Sequence, residues 1–393
     1  MRILIAPNED GLGTASWAVR LARAFLARPG TTVRIAAIKP STVRFLNHSL
    51  EGSDAPVVQL QGVSGWIEMA KARGGVAVEA TRERVAQYDV YRQTYMEAIR
   101  SRKLLDHTDL VIEMGVPPMA AAARNSVRAV TVFDHAWSLT LRRSIGPDPA
   151  LAAIARDEHQ TRAVHLFPEP VTPDNFADFW KDNGRTPTRI AGCFGGGDAQ
   201  ARAVARRALE IPRGARAVFV SGAGSPVWDG MLRRLVDQSV REQPDLYTVV
   251  FSPTEIARLG LRMRWVRAAA GWKVQCAGFG RILFVGAMRG ETHHALTAAA
   301  DLVVTRAGGG TVSDAIAHRV PLLLVEEAGQ WQVEQIRHRA HTLGLARTVS
   351  LDFFRRQPLR CLQHTGRLTR ERQRMQAIGT GAEHTLVREL LRK

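Results

Sequence analysis

The feature that most constrains the fold is the stretch from 300 to 347, in which a glycine triplet separates two short apolar runs. Residues 302–304 are too few and too rich in valine for a helix, so they predict a buried strand. After the glycines at 308–310, apolar residues recur at helical spacing until a Val-Pro pair ends the pattern. Residues 322–325 then predict a second strand. The stretch therefore predicts a βαβ unit whose glycine loop leads into a helix N-terminus.

The chemistry of this loop suits a phosphate group. Glycines at 308, 309 and 310 have no Cβ to keep a ligand away from the backbone. The first turn of a helix offers unpaired N–H donors and the positive end of its dipole, and Thr311 adds a hydroxyl. The alternative is a purely structural turn, with Thr311 as the N-cap and Asp314 closing a capping box.

The loop and the residues after it resemble the donor-binding motif of GT-B glycosyltransferases of families 1 and 28, including the peptidoglycan N-acetylglucosaminyltransferases. The matching residues are Arg306, Gly308, Thr311, Asp314, Pro321, Glu334, Gln335 and Gly344. The resemblance implies that Gly309, Gly310 and Thr311 hold a nucleotide diphosphate. It also implies that Asp314, in place of the usual glutamate, grips the ribose hydroxyls, and that Glu334 and Gln335 bind the donor sugar.

A second glycine loop precedes this one in the same half of the chain. Residues 217–220 predict a strand, and small residues at 221–225 separate it from the next helical pattern. The resemblance implies that Gly224 and Ser225 contact the donor phosphates from the side opposite Gly309. It further implies that Ala287 and Met288, expected just beyond the strand at 281–285, touch the nucleobase, and that a helix over 293–300 covers this region.

The N-terminal segment also predicts a βαβ unit, with strands at 2–6 and 32–38 around an amphipathic helix from Trp17. The loop between strand and helix contains Asp10, Gly11, Gly13 and Thr14. It does not complete the G-x-G-x-x-G pattern, which argues against dinucleotide binding. In the similar glycosyltransferases this loop faces the acceptor and the reacting centre.

Transfer of a sugar to a hydroxyl requires a base that removes the hydroxyl proton. The strand at 128–133 ends in Asp134 and His135, and the carboxyl ends of parallel strands line the ligand crevice of an open α/β sheet. We consider His135, Asp134 and Asp10 as candidates, in that order, because histidine is largely unprotonated at neutral pH. The alternative is a turn-capping Asp134 beside a half-buried His135.

The length of 393 residues accommodates two domains, and the pattern predicts an α/β chain of two doubly wound Rossmann-like domains facing across a cleft. Residues 163–168 resemble the last strand of the first sheet, and 168–188 lack periodicity. The predicted divisions are an acceptor-side domain over 1–180, a hinge over 181–214, a donor-binding domain over 215–365, and a terminal helix over 366–393 that crosses back to the first domain or is solvated.

Net charge and cysteine content indicate the class of partner and the cellular compartment. The net charge of +17 comes mostly from dispersed arginines, which fits a solvated surface, an anionic membrane or an acidic acceptor. Three scattered cysteines suggest neither disulfides nor a zinc site, no apolar run reaches ~18 residues, and the N-terminus lacks signal-peptide features. We expect a cytoplasmic protein, with peripheral contact at the inner membrane face left open.

These features together predict a hexosyltransferase that uses a nucleotide-sugar, with a UDP-sugar as the first choice, and a small-molecule or lipid-linked hydroxyl acceptor. The resemblance implies inversion at the anomeric carbon without a metal or other cofactor, and the chain has no D-x-D motif at a strand end. One alternative is a UDP-sugar epimerase or hydrolase on the same fold. Another is a nucleic-acid-binding or base-glycosylating protein, which the lack of a recognition helix disfavours.

Overall fold

A computed structural model provides the structure of the chain. The residues that it describes are 1–9, 12–64, 69–72, 75–114, 127–133, 136–160, 164–166, 172, 174–182, 184, 186–195, 199–221, 246–251, 264–267, 273–279, 282–289, 292–327, 329–363 and 368–392. Structural statements below refer to these residues.

The first sheet is parallel throughout, in the order β3-β2-β1-β6-β7-β8-β9. Its strands are β1 (Arg2–Pro7), β2 (Thr32–Ala37), β3 (Val57–Gln59), β6 (Leu110–Met114), β7 (Arg128–Phe133), β8 (Val164–Leu166) and β9 (Thr188–Arg189). A separate small hairpin pairs β4 (Lys71–Ala72) with β5 (Gly75–Val76). Strand order reverses between β1 and β6, as in a doubly wound fold.

The second sheet has the order β12-β13-β14-β11-β10-β15-β16-β17. Its strands are β10 (Arg216–Ser221), β11 (Leu246–Phe251), β12 (Arg264–Arg267), β13 (Lys273–Phe279), β14 (Ile282–Arg289), β15 (Leu302–Thr305), β16 (Leu322–Glu326) and β17 (Ala346–Ser350). The six strands from β14 to β17 in this order are parallel, while β12 and β13 add an antiparallel edge. The parallel part has the Rossmann order, with its reversal between β10 and β15.

Helices connect the strands of both sheets. Their bounds are α1 (Leu12–Leu26), α2 (Pro40–Ser49), α3 (Val78–Val85), α4 (Tyr88–Ser101), α5 (Trp137–Ile145), α6 (Leu151–His159), α7 (Asp174–Asp182), α8 (Ala199–Ala208), α9 (Thr292–Ala299), α10 (Gly309–Ala317), α11 (Trp331–Thr342), α12 (Leu351–Arg356), α13 (Pro358–Gln363), α14 (Thr369–Gln376) and α15 (Ala382–Arg392). Within the described part of the chain, no helix is long and apolar enough to cross a membrane.

Both faces of the first sheet are covered, as the apolar strands of a parallel sheet require. Along β1, Ile3 and Ile5 contribute to the core beneath α1, while Leu4 and Ala6 belong to the core beneath α4. The second sheet has its own core, to which α9, α10 and α11 contribute. Two separate cores of this size confirm the predicted pair of α/β domains.

The end of the chain returns to the first domain. Leu386, Val387 and Leu390 of α15 are fully buried in the same core as α1. On its way there the chain pairs with the segment between the two sheets: the Cys193 N–H donates to the Gly379 carbonyl at 2.9 Å. The terminal segment therefore packs on the first domain.

Several local expectations are wrong in ways that share one cause. The last strand of the first sheet is β9 and not the strand at 164–166, and the stretch expected to lack periodicity contains α7. These differences concern element ends and a two-residue strand, which depend on partners distant in sequence.

The loop after β1 is also shorter than expected. The helix begins at Leu12 and not at Trp17, so Gly13 and Thr14 belong to its first turn. Thr14 Oγ1 donates a hydrogen bond to the carbonyl of Asn8, which ties this turn to the end of β1.

Candidate functional site

The two glycine loops of the second domain follow the neighbouring strands at which its strand order reverses. Ser221, the last residue of β10, lies opposite Thr305, the last residue of β15. The strand order reverses between β10 and β15, and in a doubly wound sheet a crevice opens at the carboxyl ends of two such strands. Ligands of open α/β sheets bind in this position, which makes the switch point the candidate site.

The loop after β15 enters α10 through an unusual backbone conformation. Ala307 has a φ of +69°, in the left-handed region that a residue with a Cβ rarely adopts. Gly308 is the N-cap, and no side chain caps the helix there. The capping-box alternative is therefore wrong, because α10 begins two residues before Thr311 and Asp314 lies in its second turn. The first-turn N–H groups remain directed at the crevice.

Gly308 is a glycine that the protein's own packing does not require. Its φ of −62° and ψ of 131° are open to any residue, and a Cβ built on it meets no atom within 4 Å. Gly310 lies closer to the first domain, since a Cβ there would be 3.4 Å from the Cα of Gly13. The N-terminal turns of α1 and α10 thus meet at the crevice.

Asp314 lies at the centre of a buried polar network that joins the two domains. Its Oδ1 accepts a hydrogen bond from Arg20 Nη2 of α1 at 2.7 Å, and its Oδ2 lies 3.1 Å from His293 Nδ1. His294 Nδ1 lies 3.4 Å from Oδ1. Burial alone would raise the pKa of Asp314, but the Arg20 charge and the two histidines hold it well below its usual value. The carboxylate is therefore ionised at neutral pH.

His293 connects this buried carboxylate to the crevice. Its Nε2 lies 3.2 Å from Ser221 Oγ and 3.4 Å from Thr311 Oγ1. The ring of Phe219 packs edge-on against the imidazole, with 5.3 Å between centroids. The side chain of His293 is 28% exposed, against 7% for Asp314. The imidazole is therefore more open to the crevice than the carboxylate behind it.

His294 and His318 form the inner side of the network. Their Nε2 atoms are 2.8 Å apart, so one ring donates and the other accepts. Burial, with a further contribution from His294, lowers the pKa of His318 to about 3. His318 is therefore neutral at physiological pH. Arg20 also donates to the Phe194 carbonyl and contacts His294, and these two contacts anchor its guanidinium.

The other predicted donor residues lie around the exits of β15 and β16. Arg306 Nη1 donates to Gln330 Oε1 at 3.0 Å and lies 3.5 Å from Glu327 Oε1. Glu334 Oε1 accepts from the Gly329 N–H at 2.8 Å and so ties the first turn of α11 to the segment before it. These contacts join Arg306 to α11, while the donor roles of Arg306 and Glu334 stay predictions.

A second contact between the domains involves the first turns of α11. Gln335 Oε1 accepts from Asn175 Nδ2 of α7 at 2.9 Å, and Trp331 packs against Phe176 with 5.3 Å between ring centroids. Arg339 adds an ion pair at 3.1 Å to Asp174. The predicted sugar-binding residue Gln335 therefore lies at the edge of α7, and its contact with a donor sugar stays a prediction.

The fold explains the glycine at the end of the motif and corrects the expected position of two nucleobase-binding candidates. Gly344 follows α11 with a φ of +63°, a conformation that favours glycine at a helix end. Ala287 and Met288 lie within β14, opposite Gln275 and Val274, and not in a loop beyond the strand as expected. Contact of Ala287 and Met288 with a nucleobase stays a prediction.

Six predicted site residues lie outside the described part of the chain. They are the base candidates Asp10, Asp134 and His135, the acceptor-side Gly11, and the donor-loop residues Gly224 and Ser225. Their roles rest on the sequence and stay predictions.

Sequence reasoning missed Arg20, Ser221, His293 and His294. One signal was available for Arg20, because a charged residue within the apolar run Ala18-Val19-Arg20-Leu21-Ala22 is buried only with a partner. The adjacent histidines at the start of α9 gave a weaker signal, since nothing local shows what they face. Their shared partner, Asp314, is 21 and 20 positions away.

No protein-family model and no curated protein sequence matches the chain. Solved structures do match it in fold over its full length. The Streptomyces sp. SF2575 glycosyltransferase SsfS6, complexed with thymidine diphosphate, has a TM-score of 0.61 at 17% identity, covering 100% of both chains. MurG of Acinetobacter baumannii has a TM-score of 0.55 at 14% identity, covering 100% of this chain and 99% of its own.

A third solved structure, the glycosyltransferase VinC in complex with dTDP, has a TM-score of 0.56 at 20% identity, covering 100% of this chain and 99% of its own. All three likenesses are of fold, because the identities are low. Together with the two strand orders, they identify the architecture as the GT-B fold of two Rossmann-like domains.

Proposed function

We propose that the protein is a glycosyltransferase that moves a hexose-type sugar from a nucleotide diphosphate to a hydroxyl acceptor. The transfer inverts the anomeric carbon and uses no metal, because helix N-termini can stabilise the departing diphosphate. The GT-B fold, shared with the glycosyltransferases SsfS6 and VinC and with MurG, supports the reaction class.

The observation that carries the proposal is Gly308. A glycine with an unstrained backbone and, among the described residues, open space around its Cα serves no packing purpose there. It permits close approach of a ligand to the N–H groups of α10, at the switch point of the second sheet. A diphosphate is the ligand that matches several convergent N–H donors and a helix dipole.

Two nucleotides are favoured as the donor. The motif resemblance favours uridine diphosphate sugars, while SsfS6 and VinC were solved with thymidine diphosphate and dTDP. We therefore expect a pyrimidine nucleotide. Thermal-shift measurements against UDP, TDP, GDP and ADP test this directly, because a ligand at 100 times its Kd stabilises a protein by about 2.7 kcal/mol.

The control for this screen is Gly308→Val. Valine adopts the backbone angles of Gly308, so the fold is retained, but its side chain occupies the space that a diphosphate needs. We expect the variant to melt like the wild type and to lose the nucleotide-induced shift. An unchanged shift in the folded variant, or no shift with any nucleotide in the wild type, would contradict the donor site.

The base that deprotonates the acceptor is proposed to be His135, followed by Asp134 and Asp10. His135→Ala is expected to lower the rate of transfer by roughly 10²- to 10⁴-fold with nucleotide binding retained. Full turnover in His135→Ala together with its loss in Asp10→Asn would assign the base to Asp10.

Product analysis separates transfer from the other reactions on this fold. A nucleotide-sugar incubated without acceptor should be consumed only slowly. Rapid release of free sugar would favour a hydrolase, and appearance of an isomeric nucleotide-sugar would favour an epimerase.

The acceptor is proposed to be a small-molecule or lipid-linked hydroxyl compound, with peripheral contact to an anionic membrane. A groove of about 780 Å³ beside α8 supports such contact, because it is lined by Arg202, Arg206, Arg207, Arg213 and Arg216 against a single acid, Asp301. Arg207 and Arg213 lie outside the Asp301 ion pairs that hold Arg202 and Arg206. Vesicles with and without phosphatidylserine test the contact, and equal binding to both would exclude it.

A further inference from the structure

We propose that His293 is a catalytic residue of the donor site, whose imidazole Nε2–H binds the diphosphate leaving group. Asp314 and Arg20 are its positioning residues. The inference rests on the proposed function and names a group that the sequence motif does not contain.

The His293 ring lies between the ends of the two strands that lead to the glycine loops. Its Nε2 is 3.2 Å from Ser221 Oγ and 3.4 Å from Thr311 Oγ1. Ser221 is where the chain leaves β10 towards the first glycine loop, and Thr311 is in the first turn of α10, just after the second. A diphosphate held at the N-terminus of α10 therefore lies beside Nε2.

Asp314, the partner of Nδ1, determines which ring nitrogen of His293 carries the proton. A carboxylate only accepts hydrogen bonds, so the proton on Nδ1 is directed at Asp314 Oδ2 at 3.1 Å. In the neutral ring Nε2 then accepts from the hydroxyl of Ser221. Once protonated, Nε2 is a donor, and the ionised Asp314 behind it stabilises the positive charge.

The distribution of burial separates His293 from a structural histidine. Asp314 and Arg20 have only 7% and 5% of their side-chain surfaces exposed, and His294 has 13%. His293 has 28%, and it is the member of the network that faces the carboxyl ends of β10 and β15. A buried charge pair behind a partly open imidazole is the arrangement by which proteins orient a histidine towards a ligand.

In the proposed transfer, one bond to the anomeric carbon forms as another breaks. The acceptor oxygen forms a bond to the anomeric carbon, and its proton passes to the base of the first domain. The bond from the anomeric carbon to the β-phosphate oxygen breaks, and its electron pair remains on that oxygen. Protonated His293 donates its Nε2–H to the diphosphate as this negative charge develops, which stabilises the transition state.

The test compares nucleoside diphosphates with monophosphates and needs no acceptor. Isothermal titration of UDP, TDP, UMP and TMP is carried out on the wild type, His293→Gln and His318→Gln. His318→Gln is the matched control, because it alters a neighbouring histidine that contacts His294 and not Ser221 or Thr311. Melting temperatures establish that each variant is folded, and His293→Asn provides a second variant if His293→Gln is not.

We expect His293→Gln to weaken diphosphate binding by about 10- to 100-fold and to leave monophosphate binding unchanged. His318→Gln should bind both ligands like the wild type.

The titrations distinguish a failure of the proposed function from a failure of the role proposed for His293. If the wild type binds none of the four nucleotides, the proposed function is wrong. If the wild type binds diphosphates but His293→Gln matches its affinity, the role of His293 is wrong and the donor site stands. A loss of both monophosphate and diphosphate binding in folded His293→Gln would likewise overturn the specific contact with the diphosphate.

Discussion

Arg20 and Asp314 are 294 positions apart in the chain, yet their side chains form an ion pair of 2.7 Å with 5% and 7% of their surfaces exposed. Arg20 belongs to α1 of the first domain, and Asp314 to α10, the helix after the glycine loop at 308–310. The pair therefore links the geometry of the proposed donor site to the relative position of the two domains.

The first prediction concerns the cost of breaking this pair. Arg20→Ala leaves the carboxylate of Asp314 buried without its strongest partner. We expect a loss of stability of about 3–5 kcal/mol. The urea midpoint, measured by tryptophan fluorescence, tests it.

The matched control is Arg28→Ala, just beyond the end of the same helix. Arg28 is exposed, so its removal should change stability by no more than about 0.5 kcal/mol. Equal midpoints for the two variants would show that the buried pair contributes little.

The second prediction concerns the stability of the protein at acid pH. Burial and His294 lower the pKa of His318 to about 3 from an ordinary value of 6.5. Between these values the unfolded chain binds a proton that the folded protein does not. Stability should therefore be lost as the pH falls from about 6.5 towards 3, with a further loss as Asp314 becomes protonated.

His318→Gln should flatten this dependence, because glutamine has no proton to take up. The measurement is the thermal midpoint as a function of pH, with the exposed His338→Gln as the control. Parallel curves for the wild type and His318→Gln would mean that His318 is protonated in the folded protein.

The third prediction concerns the crossing of the linker and the C-terminal segment. Gly192 has a φ of +90°, and a Cβ on it would lie 2.7 Å from the carbonyl oxygen of Gly379. Gly214 has nearly the same φ, +88°, with nothing within 4 Å. Gly214→Ala should cost about 1–2 kcal/mol from backbone strain alone. Gly192→Ala should cost about 1 kcal/mol or more beyond that, because two backbones must separate.

Urea midpoints of the two glycine variants provide the comparison. A similar loss in both would show that the crossing adjusts to a methyl group without cost, and that the C-terminal segment is held mainly by α15.

The parts of the fold that were predictable are those coded by local periodicity. The strand and helix at 302–317 could be recognised because a continuous apolar run gives way, across the glycines, to apolar residues spaced three or four apart. The strand β9 could not be, since two residues pair only because β8 lies beside them. The antiparallel edge of β12 and β13 likewise depends on register with β14.

The candidate site also has one part that local sequence predicts and another that it does not. Spacing located the loop at 308–311, because a glycine turn between a strand and a helix is coded by neighbouring residues. The polar network behind this loop could not be predicted from the sequence, because Arg20, Ser221 and His293 meet only after both sheets have formed. Spacing also could not show that Asp314 is buried, a fact that changes what this residue can contact.

The last prediction concerns Asp314, for which two roles can be separated. The motif resemblance implies a contact with the ribose hydroxyls, whereas in the structure both carboxylate oxygens already have protein partners. Asp314→Asn keeps the shape but removes the charge that orients His293. If its role is positioning, diphosphate affinity should fall about tenfold or more, with UMP and TMP bound as before. If it grips the ribose, the affinities for monophosphates and diphosphates should fall by the same factor. The variant also leaves Arg20 without its charge partner, so titrations are compared only where circular dichroism shows a folded protein. Because Asp314 is 7% exposed and bonded to Arg20, we expect the first outcome.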